Sequence, residues 1–190
     1  MRPIIAILLI PLLLIPSFAL PEPSAPYRGQ QQRTIKALSN SEIEGLQNGA
    51  GLGLALAAEL NHYPGPRHVL ELAQALQLSE LQSRQIRAIY QQMKAEAIEQ
   101  GTKLIEAEAA LDQLFANGEA SDQQVDQLLT GIGRLSAQLR GTHLKAHLAL
   151  KPLLSEQQIA RYDELRGYTA AIDSSPHHQG NRHAAEHHRH

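Results

Sequence analysis

Between Glu80 and Ala116 the residues Ile86, Ile89, Met93, Ala97, Leu104, Ala107, Leu111 and Leu114 recur at near-heptad spacing, and Gln100 is the one polar residue in register. No proline interrupts the run and Gly101 is its only glycine, so the spacing predicts one unbroken helix. At 1.5 Å per residue such a helix is roughly 55 Å long, more than a compact domain of this size can surround. A second stripe, Leu128, Ile132, Leu135, Leu139, Ala146 and Leu150, predicts a partner helix over Asp122–Leu150, with Asn117-Gly118 as the reversal between the two. The expected fold is all-α: an elongated antiparallel helical hairpin with short flanking helices, or a dimer of such units.

Serine followed three residues later by Glu or Gln marks four helix starts: Ser41 with Glu44, Ser79 with Gln82, Ser121 with Gln124, and Ser155 with Gln158. In this capping box the serine oxygen takes a free backbone N–H of the first turn and the longer side chain reaches back to the serine N–H. Leu154 and Ile159 are placed to staple the fourth start. The first box predicts a helix over Glu42–Leu60 with Gly45, Gly49, Gly53 and Ala57 along one side. Each glycine weakens that helix by about 1 kcal/mol relative to alanine, so it needs a neighbour packed into the groove. Gly49-Ala50-Gly51-Leu52-Gly53 follows no strand and is read as close packing, not as a nucleotide loop. A turn at His62–Pro66, a short helix over His68–Leu76 and a last helix over Glu156–Tyr168 complete the expected elements.

Composition narrows the function. Residues 1–19 have a basic start, the apolar run Ile4–Leu14 and small residues at Ser17 and Ala19, the pattern of a secretory leader. Pro11 and Pro16 interrupt that run, which is short against the roughly 20 residues a membrane span needs. A cleaved leader, a periplasmic chain and no membrane span after cleavage are therefore expected, with a retained anchor as the alternative. Residues 20–40, rich in Pro and Gln, read as a flexible lead-in, 41–168 as the helical domain and 169–190 as a disordered tail. A formal charge of −2 argues against a nucleic-acid partner, and the absence of cysteine excludes disulfides, thiolate metal sites and cysteine nucleophiles. No nucleophile constellation or metallohydrolase motif is present, so an enzyme is not expected.

Two features remain. From Gln127 to Ser155 there is no acid, only Arg134, Arg140, Lys145 and Lys151 among fixed charges, whereas Glu96, Glu99, Glu106, Glu108 and Asp112 crowd the first long helix. The asymmetry either steers the hairpin together or leaves one face positive. Six of the ten histidines lie in the tail, His177, His178, His183, His187, His188 and His190, interspersed with other residues, and this composition suits loose binding of Zn, Ni, Co or Cu(II). His143 and His147, at i and i+4, are placed to share one ion.

Leu78-Ser79-Glu80-Leu81-Gln82 and Leu154-Ser155-Glu156-Gln157-Gln158 resemble the twin Leu-Thr-x-x-Gln motifs of the Spy/CpxP family, with serine for threonine in both. The resemblance covers about residues 40–168 and extends to the order of elements, closing on Arg161-Tyr162. It implies a periplasmic all-α cradle, generally a homodimer, in a family of ATP-independent chaperones, inhibitors of envelope sensor kinases, a zinc-resistance-associated protein and nickel/cobalt sensors. For the chaperone branch it implies unfolded polypeptide as partner, with Arg134, Arg140, Lys145 and Lys151 as candidate rim residues and Ile98 and Ile105 serving the dimer contact or the client face. For the sensor branch it implies a His-x-x-x-His pair on the first helix, which this chain lacks: the short helix from His68 carries Glu71 and Leu72 where a second His belongs.

Overall fold

The computed structural model describes residues 25–169. Its helices in chain order are α1 (Asn40–Gln47), α2 (Leu56–Glu59), α3 (Pro66–Glu71), α4 (Glu80–Ala116), α5 (Asp122–Leu150) and α6 (Glu156–Arg166), and the described residues include no strand. The long stripe forms as its spacing predicts: α4 is one helix of 37 residues and packs along α5, of 29 residues, as an antiparallel hairpin. Gly118, at φ 71°, closes α4 in the left-handed conformation that spares glycine a Cβ clash. The Glu119 N–H then reaches the Leu114 carbonyl at 3.2 Å and the Gly118 N–H the Phe115 carbonyl at 3.1 Å. Ser121 sits at the N-cap of α5 as expected, but its hydroxyl donates to Gln124 Oε1 at 2.5 Å and no backbone N–H is capped, so this start lacks the reciprocal box.

Apolar burial is concentrated toward the open end of the hairpin. There α3, the start of α4, the end of α5 and α6 enclose Val69, Leu76, Ile86, Leu150, Leu154 and Tyr162. Midway along, α1 lies over the hairpin and buries Leu46 with Ala97, Leu104 and Leu139. Beyond Leu104 and Leu139, toward the turn, neither long helix buries a residue, and Phe115 and Leu129 stand 59% and 49% exposed.

The segment before the hairpin departs from expectation. Part of the supposed lead-in lies against α4: Ile35 is buried, and the Lys36 N–H donates to Asp112 Oδ1 at 3.1 Å. The first box is made by Ser39 with Glu42, not by Ser41 with Glu44. The reason is the residue in front: Leu38 packs into the middle cluster, whereas Asn40, in front of Ser41, has nothing to bury. The single helix expected over Glu42–Leu60 is two short ones separated by turns, because Gly49 and Gly53 take φ of 64° and 75° and Leu52 takes 44°. Close packing through glycine does occur, at Gly49 against Lys94 and more tightly on the other partner. A Cβ on Gly101 of α4 would lie 2.5 Å from the Leu46 carbonyl oxygen, so α1 rests on bare backbone. Ile98 and Ile105, read as a dimer or client surface, are half-buried under this N-terminal segment. The helix expected over His68–Leu76 begins at Pro66 and ends at Glu71, and α6 stops at Arg166 because Gly167 turns left-handed at φ 71°.

Candidate functional site

The two Leu-Ser-x-x-Gln segments clasp each other. Each Gln oxygen accepts its own serine N–H at 2.9 Å, Ser79 to Gln82 and Ser155 to Gln158, completing both capping boxes. The amide nitrogens then cross over: Gln82 Nε2 donates to Gln158 Oε1 at 2.9 Å and to the Leu153 carbonyl at 2.8 Å, and Gln158 Nε2 donates to the Leu76 carbonyl at 3.1 Å. The start of the hairpin and the start of α6 are thus locked by a near-symmetrical pair of side chains.

Beside this clasp, Glu59 at the end of α2 is buried and accepts from both the Tyr162 and the Tyr168 hydroxyls on Oε1, the latter at 3.0 Å. Tyr168 reaches it because Gly167 reverses the chain, with the Tyr168 N–H held by the Asp163 carbonyl at 2.8 Å. Burial first, and then the Glu59 carboxylate, push the Tyr162 hydroxyl far above the ordinary phenol range, so it remains a donor. Arg166 Nε lies 3.7 Å from Glu59 Oε1 and 3.2 Å from the Tyr168 hydroxyl. His62, at φ 63°, bonds Asp163 Oδ2 at 2.6 Å, and Asp163 Oδ1 is buried without a partner. From the sequence, Tyr162 enters only as the close of the family resemblance, and Glu59, Arg166 and Tyr168 are not read as site residues. A usable signal exists, since Glu59 is the only acid between Gly45 and Leu70.

His143 and His147, the pair placed to share one ion, face inward from α5, and both are buried. His147 Nδ1 lies 2.7 Å from the Tyr63 carbonyl, which can only accept, so that nitrogen carries a hydrogen and in the neutral ring Nε2 holds the lone pair; Glu59 Oε2 stands 3.7 Å from the same Nδ1. His143 Nε2 is buried with no partner. Among the described residues no group of three or more His, Cys, Asp or Glu side chains is arranged to hold a metal ion. Burial, and secondarily the neighbouring His147, lower the His143 pKa below the usual 6.5. The unfolded chain therefore binds a proton here more readily than the folded one, and stability falls as pH drops below 6.5. In His143→Leu the loss of unfolding free energy between about pH 7 and about pH 5 is expected to shrink, as measured by urea titration at each pH.

The four candidate client-binding cations do not converge. At about 100° per residue, a spacing of eleven returns a side chain to within about 20°, so Arg134 aligns with Lys145 and Arg140 with Lys151, on opposite flanks of the buried stripe. Arg134, Arg140 and Lys145 are exposed, while the Lys151 ammonium sits 3.6 Å from the centre of the Tyr63 ring. Among the described residues no ion pair joins α4 to α5: Glu99 pairs with Lys103 on its own helix and Asp112 with Lys36. Residues 1–19, read as a leader, and His177, His178, His183, His187, His188 and His190 lie outside the described residues.

Between the 48–56 loop, the start of α3, one face of α4 and the end of α6 is a cavity of about 640 Å³, with Lys94, His147 and Tyr168 in its wall. No helix among the described residues is long and apolar enough to cross a membrane. Compared with protein-family models, curated proteins and solved structures, the chain matches none of them.

Proposed function

We propose that this chain is an ATP-independent, chaperone-like protein of the periplasm that binds unfolded or misfolded polypeptide as a homodimer, with a His-rich tail that takes up Zn, Ni, Co or Cu(II). The observation that carries the reading is the outer part of the hairpin, where Phe115 and Leu129 are exposed and no residue of either long helix is buried. Arg134 and Arg140 flank the approach to it on α5, exposed and free of ion pairs with α4. Modest apolar area beside positive charge suits rapid capture and easy release of a client, and the reading assigns no catalytic step. The twin clasped motifs support kinship with the Spy/CpxP family. The full-length protein at stoichiometric amounts is expected to suppress aggregation of a chemically denatured test client by at least about half, read by light scattering, with Phe115→Ser/Leu129→Ser losing most of that effect. Unchanged aggregation with the unmutated protein would end the reading.

One observation favours a second reading, a heavy-metal sensor or resistance protein acting on an envelope sensor kinase. It is the buried His143 Nε2 with no partner, one turn from a His147 whose other nitrogen is already fixed. Stoichiometric metal binding that survives truncation after Tyr168 and disappears in His143→Ala supports it. Binding lost with the tail supports the first reading.

A further inference from the structure

The cavity beneath the 48–56 loop is not used by the first reading and shares only His147 with the second. Its volume, about 640 Å³, lies within the roughly 300–1,000 Å³ of ordinary ligand sites. Leu52, Leu56, Met93 and Tyr168 supply apolar wall, and Leu52 and Leu56 are themselves 45% and 54% exposed. Three fixed cations reach its edge. Two are engaged: Arg67 Nε holds Glu71 Oε1 at 2.8 Å, and Arg166 lies between the Tyr168 hydroxyl and Glu59. The third, Lys94, has no ion-pair partner among the described residues. Its stem is nevertheless held. The loop rests directly on it at Gly49, where an added Cβ would stand 3.0 Å from the Lys94 carbonyl oxygen and 3.3 Å from its Cγ.

Deeper in the wall, His147 is 7% exposed and its Nδ1 hydrogen is committed to the Tyr63 carbonyl, so in the neutral ring it is Nε2 that offers a lone pair to the cavity side near Gly65. Glu59 Oε1 already takes two hydroxyls, whereas Oε2, 3.7 Å from His147 Nδ1, accepts no hydrogen bond among the described residues. Among its buried side chains the cavity thus presents two uncommitted acceptors, Glu59 Oε2 and His147 Nε2, beside one uncommitted cation, Lys94, and apolar wall around them. A ligand matched to that set carries one negative charge, N–H donors and aliphatic bulk. A dianion leaves a charge unmatched, and a fatty acid leaves the His147 nitrogen without a donor.

We propose that this cavity binds the free C-terminal carboxylate of a peptide ending in aliphatic residues, with Lys94 taking the carboxylate and His147 Nε2 accepting a backbone N–H. The site shares no residue with the hairpin surface proposed to hold unfolded clients, so the two stand or fall separately. The test is fluorescence anisotropy on the full-length protein with a fluorescein-labelled hexapeptide ending in two leucines, as the free acid and as the C-terminal amide, and with laurate as competitor. The acid is expected to bind at least about tenfold tighter than the amide. Lys94→Gln, an exposed position that leaves the core intact, erases that preference, whereas Arg134→Gln keeps it. Leu52→Ser weakens acid and amide together. Equal affinity for acid and amide, a preference that survives Lys94→Gln, or binding of laurate without the peptide would each overturn the assignment.

Discussion

Gly101→Ala lowers the stability of the protein by about 2 kcal/mol, against the direction that helix propensity alone gives. An alanine in mid-helix gains about 1 kcal/mol over glycine when its methyl group points into open space. At Gly101 that methyl would lie 2.5 Å from the Leu46 carbonyl oxygen and 3.0 Å from its carbon, and both are backbone atoms that no rotamer change can move. Helix α1 must lift as a unit, loosening Leu46 from Ala97, Leu104 and Leu139, and overpacking of this kind costs up to about 3 kcal/mol. The difference leaves a net loss of about 2 kcal/mol. Gly133 on α5 provides the control, since an added Cβ there meets nothing within 4 Å. Gly133→Ala is expected to stabilise by about 0.5–1 kcal/mol. Urea unfolding of both variants beside the unmutated protein gives the answer, and two substitutions of the same sign would remove α1 from its place on α4.

The hairpin was legible because its signal is redundant. Over the length of α4, apolar spacing, the absence of proline, the Ser79 box and the Asn117-Gly118 stop all agree, and local agreement of this kind marks a segment whose structure depends little on its surroundings. The N-terminal segment offers no such redundancy. A glycine every fourth residue from Gly45 to Gly53 reads equally as a groove along a helix or as left-handed turns, and what decides is tertiary: the bare backbone of Gly101 and the Lys94 stem leave room for a turn lying flat. The buried site was still less visible. Glu59 lies 103 and 109 residues from Tyr162 and Tyr168 in sequence, and Tyr168 reaches it only through the reversal at Gly167. For the basic residues of α5 the composition left steering and display open. Helix periodicity splits them between two flanks, and the absence of an ion pair from α4 to α5 among the described residues argues against direct pairing as the device that closes the hairpin.

Three helix starts in this chain have the form Leu-Ser-x-x followed by Glu or Gln, at Leu38, Leu78 and Leu154, and only the two that clasp each other end in Gln. The difference follows from what each side chain must do. Glu42 caps α1 with a carboxylate oxygen and makes no side-chain hydrogen bond beyond Ser39 among the described residues, so an acceptor is sufficient. Gln82 and Gln158 need an oxygen for their own helix and a donor for the other's, which only an amide supplies. Gln158→Ala removes the cap on the Ser155 N–H, about 1 kcal/mol, and the bonds to the Leu76 carbonyl and to Gln82, each about 1 kcal/mol net, so a loss of about 2–3 kcal/mol is expected. Gln82→Ala is expected to cost about the same, through Ser79, Leu153 and Gln158. Because the bond between the two amides is counted in both, the double variant falls short of the sum by about 1 kcal/mol or more. Gln158→Glu separates the two roles. It keeps the capping oxygen at a helix N-terminus, where a negative charge is favourable, yet turns a donor into an acceptor facing the Leu76 carbonyl and Gln82 Oε1. It should therefore be at least as damaging as alanine by chemical unfolding near neutral pH. A Gln158→Glu protein as stable as the parent would mean that the motif glutamines serve only as caps and that the clasp between the hairpin and α6 contributes nothing.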